Sequence, residues 1–340
     1  MRRFHVLCVL AALLGACQHT PNRSTDAMEI KTLNVNGDNL AYVEEGQGDT
    51  VVFIHGGAGD WRTWEGLRPF IAGKYHYVAL SRRYHYPNKW LDDGENYSVS
   101  QHANDVAAFI RALNVGKVHL VGGSYGGRVA GYVALENPDL LRSVVMSEPG
   151  LMSPTTAEGK AAMSDFQRDI AKASAAAKTG DTRQAAALFF NAVLGDPAAF
   201  EAAPSVRQER WLDNARTIAP MFSGAAPRPI SCEEFGAFKV PALVMRGEKT
   251  LAAFAHGNDA LLSCLPKGTS AAVVPNAPHI WYPVSVSLRS VTFALSLGTT
   301  DPFIVSPQDC WPSHRPQIPC WAVGRCGFRK LHVAPQVVTD

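Results

Sequence analysis

The sequence predicts an α/β protein with a mostly parallel, doubly wound sheet and an inserted helical cap. Two observations predict this fold class. Short apolar runs typical of buried strands alternate with helical patterns of about a dozen residues, within residues 28–150 and again within 236–298. Between these two parts, residues 151–235 are rich in alanine, have helical periodicity and contain no strand-like run. We therefore expect one core, formed by both parts, that carries a helical insertion.

Composition and charge narrow the class of function. The chain has 340 residues, of which 46% are hydrophobic and 18% are charged, as in ordinary globular proteins. Its formal net charge of +2 gives no reason to expect a nucleic-acid partner. The core has neither a C-x-x-C pair nor a dense cluster of histidine and cysteine, so we expect no metal site and no redox dithiol.

The N-terminus has the pattern of a targeting segment. A basic start precedes the apolar run from Phe4 to Ala16, which is too short to span a membrane. "LGAC", which ends at Cys17, resembles the bacterial lipobox, in which the cysteine is lipidated. We expect residues 1–17 to be a signal peptide with a lipobox and 18–27 a polar tether. An ordinary secretory signal is the alternative.

Export would place the protein in the bacterial cell envelope, on the periplasmic side. Its contact with the membrane would then be limited to the N-terminal lipid on Cys17. Exported proteins can form disulfides, and Cys232 with Cys264 is a possible pair. The sequence alone does not fix this pairing.

The first half of the core begins with a hairpin. Asn36-Gly37 separates two alternating runs and predicts a tight turn between two antiparallel strands at one edge of the sheet. Strand and helix patterns then alternate: "TVVFIHGG" (strand), "WRTWEGLRPFIAG" (helix), "YHYVALSRR" (strand), "SVSQHANDVAAFIRALNVG" (helix), "KVHLVGG" (strand), "GRVAGYVALENP" (helix) and "LRSVVMSEPG" (strand).

The alternation resumes after the alanine-rich segment. The predicted elements are "FKVPALVMRGEKT" (strand), "NDALLSCLP" (helix), "TSAAVVPNAPH" (strand) and "VSLRSVTFALSLG" (helix). Residues 299–340 are rich in proline, cysteine and tryptophan and have no sustained period, so this irregular tail is assigned no role.

A glycine-flanked serine follows the strand "KVHLVGG". Gly122-x-Ser124-x-Gly126 lies between a predicted strand and a predicted helix, as a nucleophile elbow requires. A serine on such a strained turn exposes its hydroxyl above the sheet, and its glycine neighbours are needed because strand and helix nearly touch there. The start of the helix also favours the negative charge that develops during attack.

From about Met28 to Gly298 the chain resembles the α/β-hydrolase fold superfamily, in the form with a helical cap. The resemblance implies that Ser124 is the nucleophile. It also implies that "HGGAGD" is the oxyanion loop, in which the backbone N–H of Gly57 would act together with that of Tyr125.

The family order of serine, acid and histidine makes His279 the expected base. This histidine follows the last predicted strand, in "VVPNAPHIWYP", and resembles the family's Gly-His ending except that Pro278 replaces the glycine. His256 is expected on the surface of a helix, and His55 is expected to brace the oxyanion loop.

The carboxylate that would orient His279 departs from the common family pattern. Thr250 stands about where the family's aspartate is usual, and a threonine cannot stabilise an imidazolium as a carboxylate does. Two carboxylates are alternatives. Glu148 ends the strand after the elbow helix, a position that some family members use. Glu248 follows the strand "PALVMRG" but lies nearer its end than the usual acid. We favour Glu148, because a glutamate that closes an apolar strand needs a partner to justify its burial.

Other positions make the substrate hard to infer from relatives. The loop "SRRYHYPN" replaces the common Asp-x-Arg-Gly, with Arg83 at the arginine position, and resembles a poorly characterised bacterial subgroup. Trp61, Trp64, Trp281 and Tyr282 flank the predicted site loops, either as walls of an acyl pocket or, for Trp64 above all, as core residues.

We expect a serine hydrolase that cleaves a small ester or related acyl substrate through an acyl-enzyme, without cofactor or metal. A serine at position 124 argues against dehalogenase and epoxide-hydrolase chemistry, which uses a carboxylate nucleophile in this fold. One alternative is an aminopeptidase like proline iminopeptidase, with cap carboxylates such as Glu201 and Glu209 holding the substrate amine. The other is a non-catalytic, lipid-anchored ligand-binding protein.

Overall fold

The computed structural model describes residues 28–223 and 228–279. The predicted signal peptide, tether, last helix and tail lie outside these residues. An eight-stranded sheet forms the centre of the described part, in the order β1-β2-β4-β3-β5-β6-β7-β8. Its strands are β1 (Lys31–Val35), β2 (Asp38–Glu45), β3 (Thr50–Ile54), β4 (His76–Leu80), β5 (Val118–Gly123), β6 (Leu141–Ser147), β7 (Ala242–Gly247) and β8 (Ser270–Val274).

The sheet is antiparallel at one edge and parallel elsewhere, which confirms the predicted fold class. β1 pairs with β2 and β2 with β4 in antiparallel orientation, whereas the pairs from β4 to β8 are parallel. The predicted hairpin turn joins β1 to β2, with φ of 50° at Asn36 and 81° at Gly37. Positive φ at both central residues is the signature of the turn type that matches the twist of two paired strands.

Helices cover both faces of the sheet and fill the connection between β6 and β7. They are α1 (Arg68–Ile71), α2 (Val99–Leu113), α3 (Tyr125–Glu136), α4 (Ala157–Lys178), α5 (Thr182–Leu194), α6 (Ala199–Ala202), α7 (Ser205–Asp213), α8 (Ile218–Ser223), α9 (Cys232–Gly236) and α10 (Ala252–Cys264). Helix α2 shows why they form: the Ser98 side chain accepts a hydrogen bond from the Gln101 N–H, and left-handed Asn114 ends the helix.

The first predicted helix is shorter than its spacing suggests. A 3₁₀ turn at Trp61–Trp64 is followed by the four-residue helix α1, instead of one continuous helix. Pro69 lies in the first turn of α1. Proline is compatible with a helix start but not with a helix interior, so the continuous periodic pattern gives two short elements.

Helices α4 to α9 lie between β6 and β7 as a helical insertion. Several of them share an apolar cluster of their own, in which Phe190 stacks on Trp211 with ring centres 3.9 Å apart. Ala58, from the loop after β3, also belongs to this cluster. The insertion is therefore packed against the loop that follows β3. The predicted domain limits stay predictions.

A disulfide joins Cys232 in α9 to Cys264 in α10, the pair that the sequence left open. It links the last helix of the insertion to the core. None of the helices within residues 28–223 and 228–279 has both the length and the apolar character needed to cross a bilayer.

Replacing both cysteines, Cys232→Ser with Cys264→Ser, should lower the free energy of unfolding by about 3 kcal/mol, because the unfolded chain regains the freedom of the closed loop. Urea denaturation of the wild type and the double variant measures this. A reductant should lower the wild-type midpoint and leave that of the variant unchanged. Equal midpoints without reductant would contradict the prediction.

Candidate active site

The candidate residues lie where neighbouring parallel strands end. Ser124 directly follows β5, Glu148 follows β6, Glu248 follows β7, and His279 comes five residues after the end of β8. The carboxyl ends of parallel strands meet at one edge of a sheet, and in open α/β sheets that edge is where ligands bind. The topology therefore collects side chains that are far apart in the sequence.

Ser124 occupies a strained turn between β5 and α3. Its φ of 53° and ψ of −121° are unusual for a residue with a side chain. A Cβ atom on Gly122 would lie 2.2 Å from the Gly126 carbonyl oxygen, and one on Gly126 would lie 2.4 Å from the Ile54 and His55 carbonyl oxygens. Only glycine fits at these two positions, because the strand and helix backbones approach too closely for any side chain.

A chain of hydrogen bonds joins Ser124, His279 and Glu148. The distance from Ser124 Oγ to His279 Nε2 is 2.9 Å, and His279 Nδ1 is hydrogen-bonded to Glu148 Oε2. A carboxylate only accepts, so Nδ1 carries the imidazole proton and Nε2 is free to accept the Ser124 hydroxyl. The structure thus brings these three predicted residues together in the arrangement of a nucleophile, a base and an orienting acid.

Glu148 is buried, and both of its carboxylate oxygens are occupied. The Gly247 N–H donates to Oε1 at 2.6 Å, and the Thr250 hydroxyl donates to Oε2 at 2.6 Å. With His279 as a third donor, the buried charge has the partners that offset its loss of hydration. Thr250, which the sequence comparison placed about where an acid was expected, uses its hydroxyl to hold the carboxylate that comes from the neighbouring strand.

Glu248, the alternative acid, has a different contact. Its Oε2 accepts a hydrogen bond of 2.6 Å from the Asn276 N–H, in the loop that leads to His279. That loop also packs tightly on β7, since a Cβ on Gly247 would lie 2.3 Å from the Ala277 carbonyl oxygen. Glu248 therefore braces the loop that carries the histidine, and Glu148 binds the histidine itself.

The predicted oxyanion loop lies beneath the helical insertion. Tyr125 is the first residue of α3, so its N–H is one of the four that have no acceptor within the helix. Gly57 faces the insertion, where a Cβ would lie 2.8 Å from Met221 Sδ and 3.1 Å from the Phe189 ring. His55 braces the loop, because its Nε2 accepts a 3.0 Å hydrogen bond from the Arg82 N–H.

One aromatic side chain contacts the histidine directly. Phe254 of α10 stacks on His279, with ring centres 4.1 Å apart and planes inclined by 23°. No sequence motif marked this contact, although Phe254 lies in a helix pattern close to Thr250. Trp61 and Trp64 are buried in the apolar core on one face of the sheet. Trp281 and Tyr282 lie outside the described residues.

The two carboxylates of the insertion that could have held a substrate amine lie on the surface. Glu201 is exposed and pairs with Arg183 at 3.0 Å, and Glu209 is exposed as well. Within residues 28–223 and 228–279, no group of three or more His, Cys, Asp or Glu side chains is arranged to hold a metal ion.

Comparison with known proteins points to one family. The family model described as alpha/beta hydrolase fold matches residues 49–250. The fold is shared with solved structures: that of a thermophilic esterase from Thermogutta terrifontis superposes with a TM-score of 0.64 at 20% identity, covering 80% of this chain and 100% of that one.

Curated relatives match over shorter stretches. A 2-(acetamidomethylene)succinate hydrolase of Mesorhizobium japonicum is 33% identical over 130 residues, which is 38% of this chain and 43% of that protein. A soluble epoxide hydrolase of a Corynebacterium species is 30% identical over 124 residues, 35% of this chain and 41% of that protein. The chain thus spans about half or less of the length of these relatives.

Replacing Gly126 by alanine should destabilise the fold by roughly 3 kcal/mol or more, since the new methyl group would overlap two backbone oxygens of the β3 end. Gly73→Ala is the matched control, because a Cβ there meets no atom within 4 Å. Thermal unfolding of both variants measures the difference. Equal unfolding temperatures for the two variants would refute the close approach described here.

Proposed function

Because the chain belongs to the alpha/beta hydrolase fold family, we propose that it is a serine hydrolase that cleaves a small ester or related acyl substrate. The observation that carries the proposal is the hydrogen-bonded series Ser124–His279–Glu148. A serine hydroxyl is a weak nucleophile until a base removes its proton, and this geometry puts such a base within hydrogen-bond distance.

In the first half of the reaction, Ser124 Oγ attacks the substrate carbonyl carbon. The hydroxyl proton moves to His279 Nε2, and the carbonyl π electrons move to the oxygen. Glu148 stabilises the resulting imidazolium through Nδ1–H. The N–H groups of Gly57 and Tyr125 stabilise the oxyanion. When the tetrahedral intermediate collapses, the bond to the leaving oxygen breaks and that oxygen takes the proton from Nε2.

In the second half, water repeats the same sequence on the acyl-enzyme. His279 Nε2 takes a proton from water, whose oxygen forms a bond to the acyl carbon. The bond to Ser124 Oγ then breaks, and Oγ recovers its proton from His279. The products are a carboxylic acid and an enzyme in its starting state, so the cycle balances without an additional reactant.

The surroundings of the site favour a small, apolar acyl group. Phe254 covers one side of His279, and Met221 with Phe189 covers the face of Gly57. Apolar walls this close to the reacting groups leave little space for charge or bulk, and they strengthen the electrostatic interactions inside the site by excluding water.

Hydrolysis of p-nitrophenyl acetate and butyrate by three variants tests the proposal. Ser124→Ala should reduce kcat/KM by at least ~10⁴-fold, and Glu148→Gln by roughly 10³- to 10⁴-fold, because the imidazole loses its orienting charge. Glu248→Gln is the matched control. Its amide oxygen can still accept from the Asn276 N–H, so its rate should stay within about threefold of wild type.

Equal losses of kcat/KM in Glu148→Gln and Glu248→Gln would contradict the assignment of Glu148 as the orienting acid. A purified wild type with no activity that depends on Ser124 would favour the ligand-binding alternative. Proline arylamides in the same panel test the aminopeptidase alternative, and faster Ser124-dependent cleavage of these amides than of the esters would overturn the ester assignment.

We also propose that the protein is exported and held on the periplasmic side of the bacterial envelope by a lipid on Cys17. The sequence "LGAC" before the tether supports this, and so does the Cys232–Cys264 disulfide, since disulfides persist in oxidising compartments. In cells fed a tagged fatty acid, wild type should carry the tag and partition with membranes, and Cys17→Ala should do neither. Untagged wild type would contradict the anchor.

A further inference from the structure

Arg82 is a buried cation without an acidic partner in the part of the chain that the structure describes. It lies in the loop after β4 and is 1% exposed. Among residues 28–223 and 228–279, no carboxylate lies within ion-pair distance of its guanidinium. The neighbouring Arg83 is different, because it pairs with Asp105 at 2.7 Å and with Asp38 at 3.1 Å. Burial of an unpaired charge lowers stability, so a charge kept in such a place calls for a reason other than stability.

The groups around Arg82 are neutral. Burial, and secondly the charge of Arg82, hold the pKa values of His55, His85 and His102 well below the usual histidine value. Burial also raises the pKa of Tyr97, whose hydroxyl accepts a 3.3 Å hydrogen bond from Arg82 Nη1. At neutral pH the positive charge of Arg82 is therefore not cancelled by its surroundings.

The guanidinium is directed at the oxyanion loop. Arg82 Nη2 donates to the Gly56 carbonyl oxygen at 3.0 Å, and His55 Nδ1 donates to the same oxygen at 2.9 Å. The Gly56 carbonyl and the Gly57 N–H belong to one trans peptide group, so they point in opposite directions. While the carbonyl faces the buried arginine, the Gly57 N–H is directed away from it.

Arg82 also contacts the second residue of the predicted oxyanion site. Its guanidinium carbon lies 4.6 Å from the centre of the Tyr125 ring, within the range of a cation–π interaction. One buried cation thus contacts the carbonyl of the peptide group that contains the Gly57 N–H, and also the side-chain ring of Tyr125, the second predicted oxyanion residue. Hydrogen bonds to a carbonyl polarise its peptide group and make the attached N–H a stronger donor, and a low-dielectric interior increases the effect.

We propose that Arg82 is a positioning residue. It strengthens oxyanion binding without touching the oxyanion itself, through its contacts with the Gly56–Gly57 peptide and the Tyr125 ring. The inference rests on the proposed function, because it needs Gly57 and Tyr125 to be the oxyanion donors. It predicts that the charge of Arg82 contributes to the rate of reaction and not to the stability of the fold.

Removing the charge should therefore separate activity from stability. Arg82→Met should lower kcat by roughly 10- to 30-fold, less than the loss of an oxyanion donor itself, and leave KM within about twofold. Its unfolding temperature should equal or exceed that of wild type, because Gly56 keeps its bond from His55 and Tyr97 keeps its 3.1 Å contact with His85. Arg82→Lys, which keeps the charge, should restore kcat to within about threefold.

Arg83→Met is the matched control. It removes the adjacent buried arginine and its ion pairs with Asp38 and Asp105, so the free energy of unfolding should fall, whereas Arg82→Met should not lower it. Its folded fraction should keep wild-type kcat, since Arg83 has no contact with Gly56 or Tyr125 among its hydrogen bonds in the described residues.

A trifluoromethyl ketone reports on the oxyanion site directly. Ser124 Oγ adds to its carbonyl carbon, the hydroxyl proton moves to His279, and the former carbonyl oxygen becomes an oxyanion. The matched trifluoromethyl carbinol fills the same space and forms no adduct. Arg82→Met should weaken inhibition by the ketone by the factor lost in kcat, about tenfold or more, and leave inhibition by the carbinol unchanged.

Several results with folded Arg82→Met would overturn the inference: an unchanged kcat, equal weakening of inhibition by ketone and carbinol, or an unfolding temperature clearly below that of wild type. If Arg82→Met does not fold, Arg82→Lys is the deciding variant. The measured quantity is the inhibition by the ketone relative to that by the carbinol. If Arg82→Lys lowers this ratio more than about tenfold below the wild-type value, a role for the charge is contradicted. A wild-type protein that forms no Ser124 adduct with the ketone contradicts the proposed function instead.

Discussion

The close approach of β5, α3 and the end of β3 is the constraint on which the rest of the site depends. Gly122 and Gly126 let the three backbones meet at distances that no side chain allows. The residue between them is consequently held at a φ of 53°, and its hydroxyl is placed at the sheet edge where parallel strands end. The N-terminus of α3 begins at the next residue, so the elbow positions both the Ser124 hydroxyl and one of the N–H groups that the proposed mechanism assigns to the oxyanion.

The hydrogen bonds around Glu148 show that the carboxylate next to His279 can come from the end of β6 instead of the end of β7. In this chain the carboxylate comes from Glu148 at the end of β6, and the β7 side supplies the Gly247 N–H and the Thr250 hydroxyl that hold it. Glu248 meanwhile fixes the turn at Asn276 that carries His279. Because β6 and β7 are adjacent and parallel, the carboxylate at the end of β6 meets hydrogen-bond donors from the end of β7. The geometry, and not the position in the sequence, defines the role.

The sequence was sufficient for features that depend on local pattern. The alternation of strands and helices, the hairpin at Asn36-Gly37 and the glycines around Ser124 each follow from periodicity or backbone sterics over a few residues. What depends on long-range contact was less accessible. The role of Thr250, the stacking of Phe254 on His279 and the direction of the Arg82 side chain depend on which strand ends meet. Proline in the first turn of α1 split a helix that apolar spacing alone made continuous.

The central claim is that His279, oriented by Glu148, activates the Ser124 hydroxyl. A fluorophosphonate that forms a bond to an activated serine oxygen tests it most directly, with intact-protein mass spectrometry followed by peptide mapping. The account predicts one covalent label per chain, located on Ser124, absent from Ser124→Ala and much slower to form in Glu148→Gln. A folded wild-type protein that takes up no label, or that is labelled at the same rate after Ser124→Ala, would contradict it.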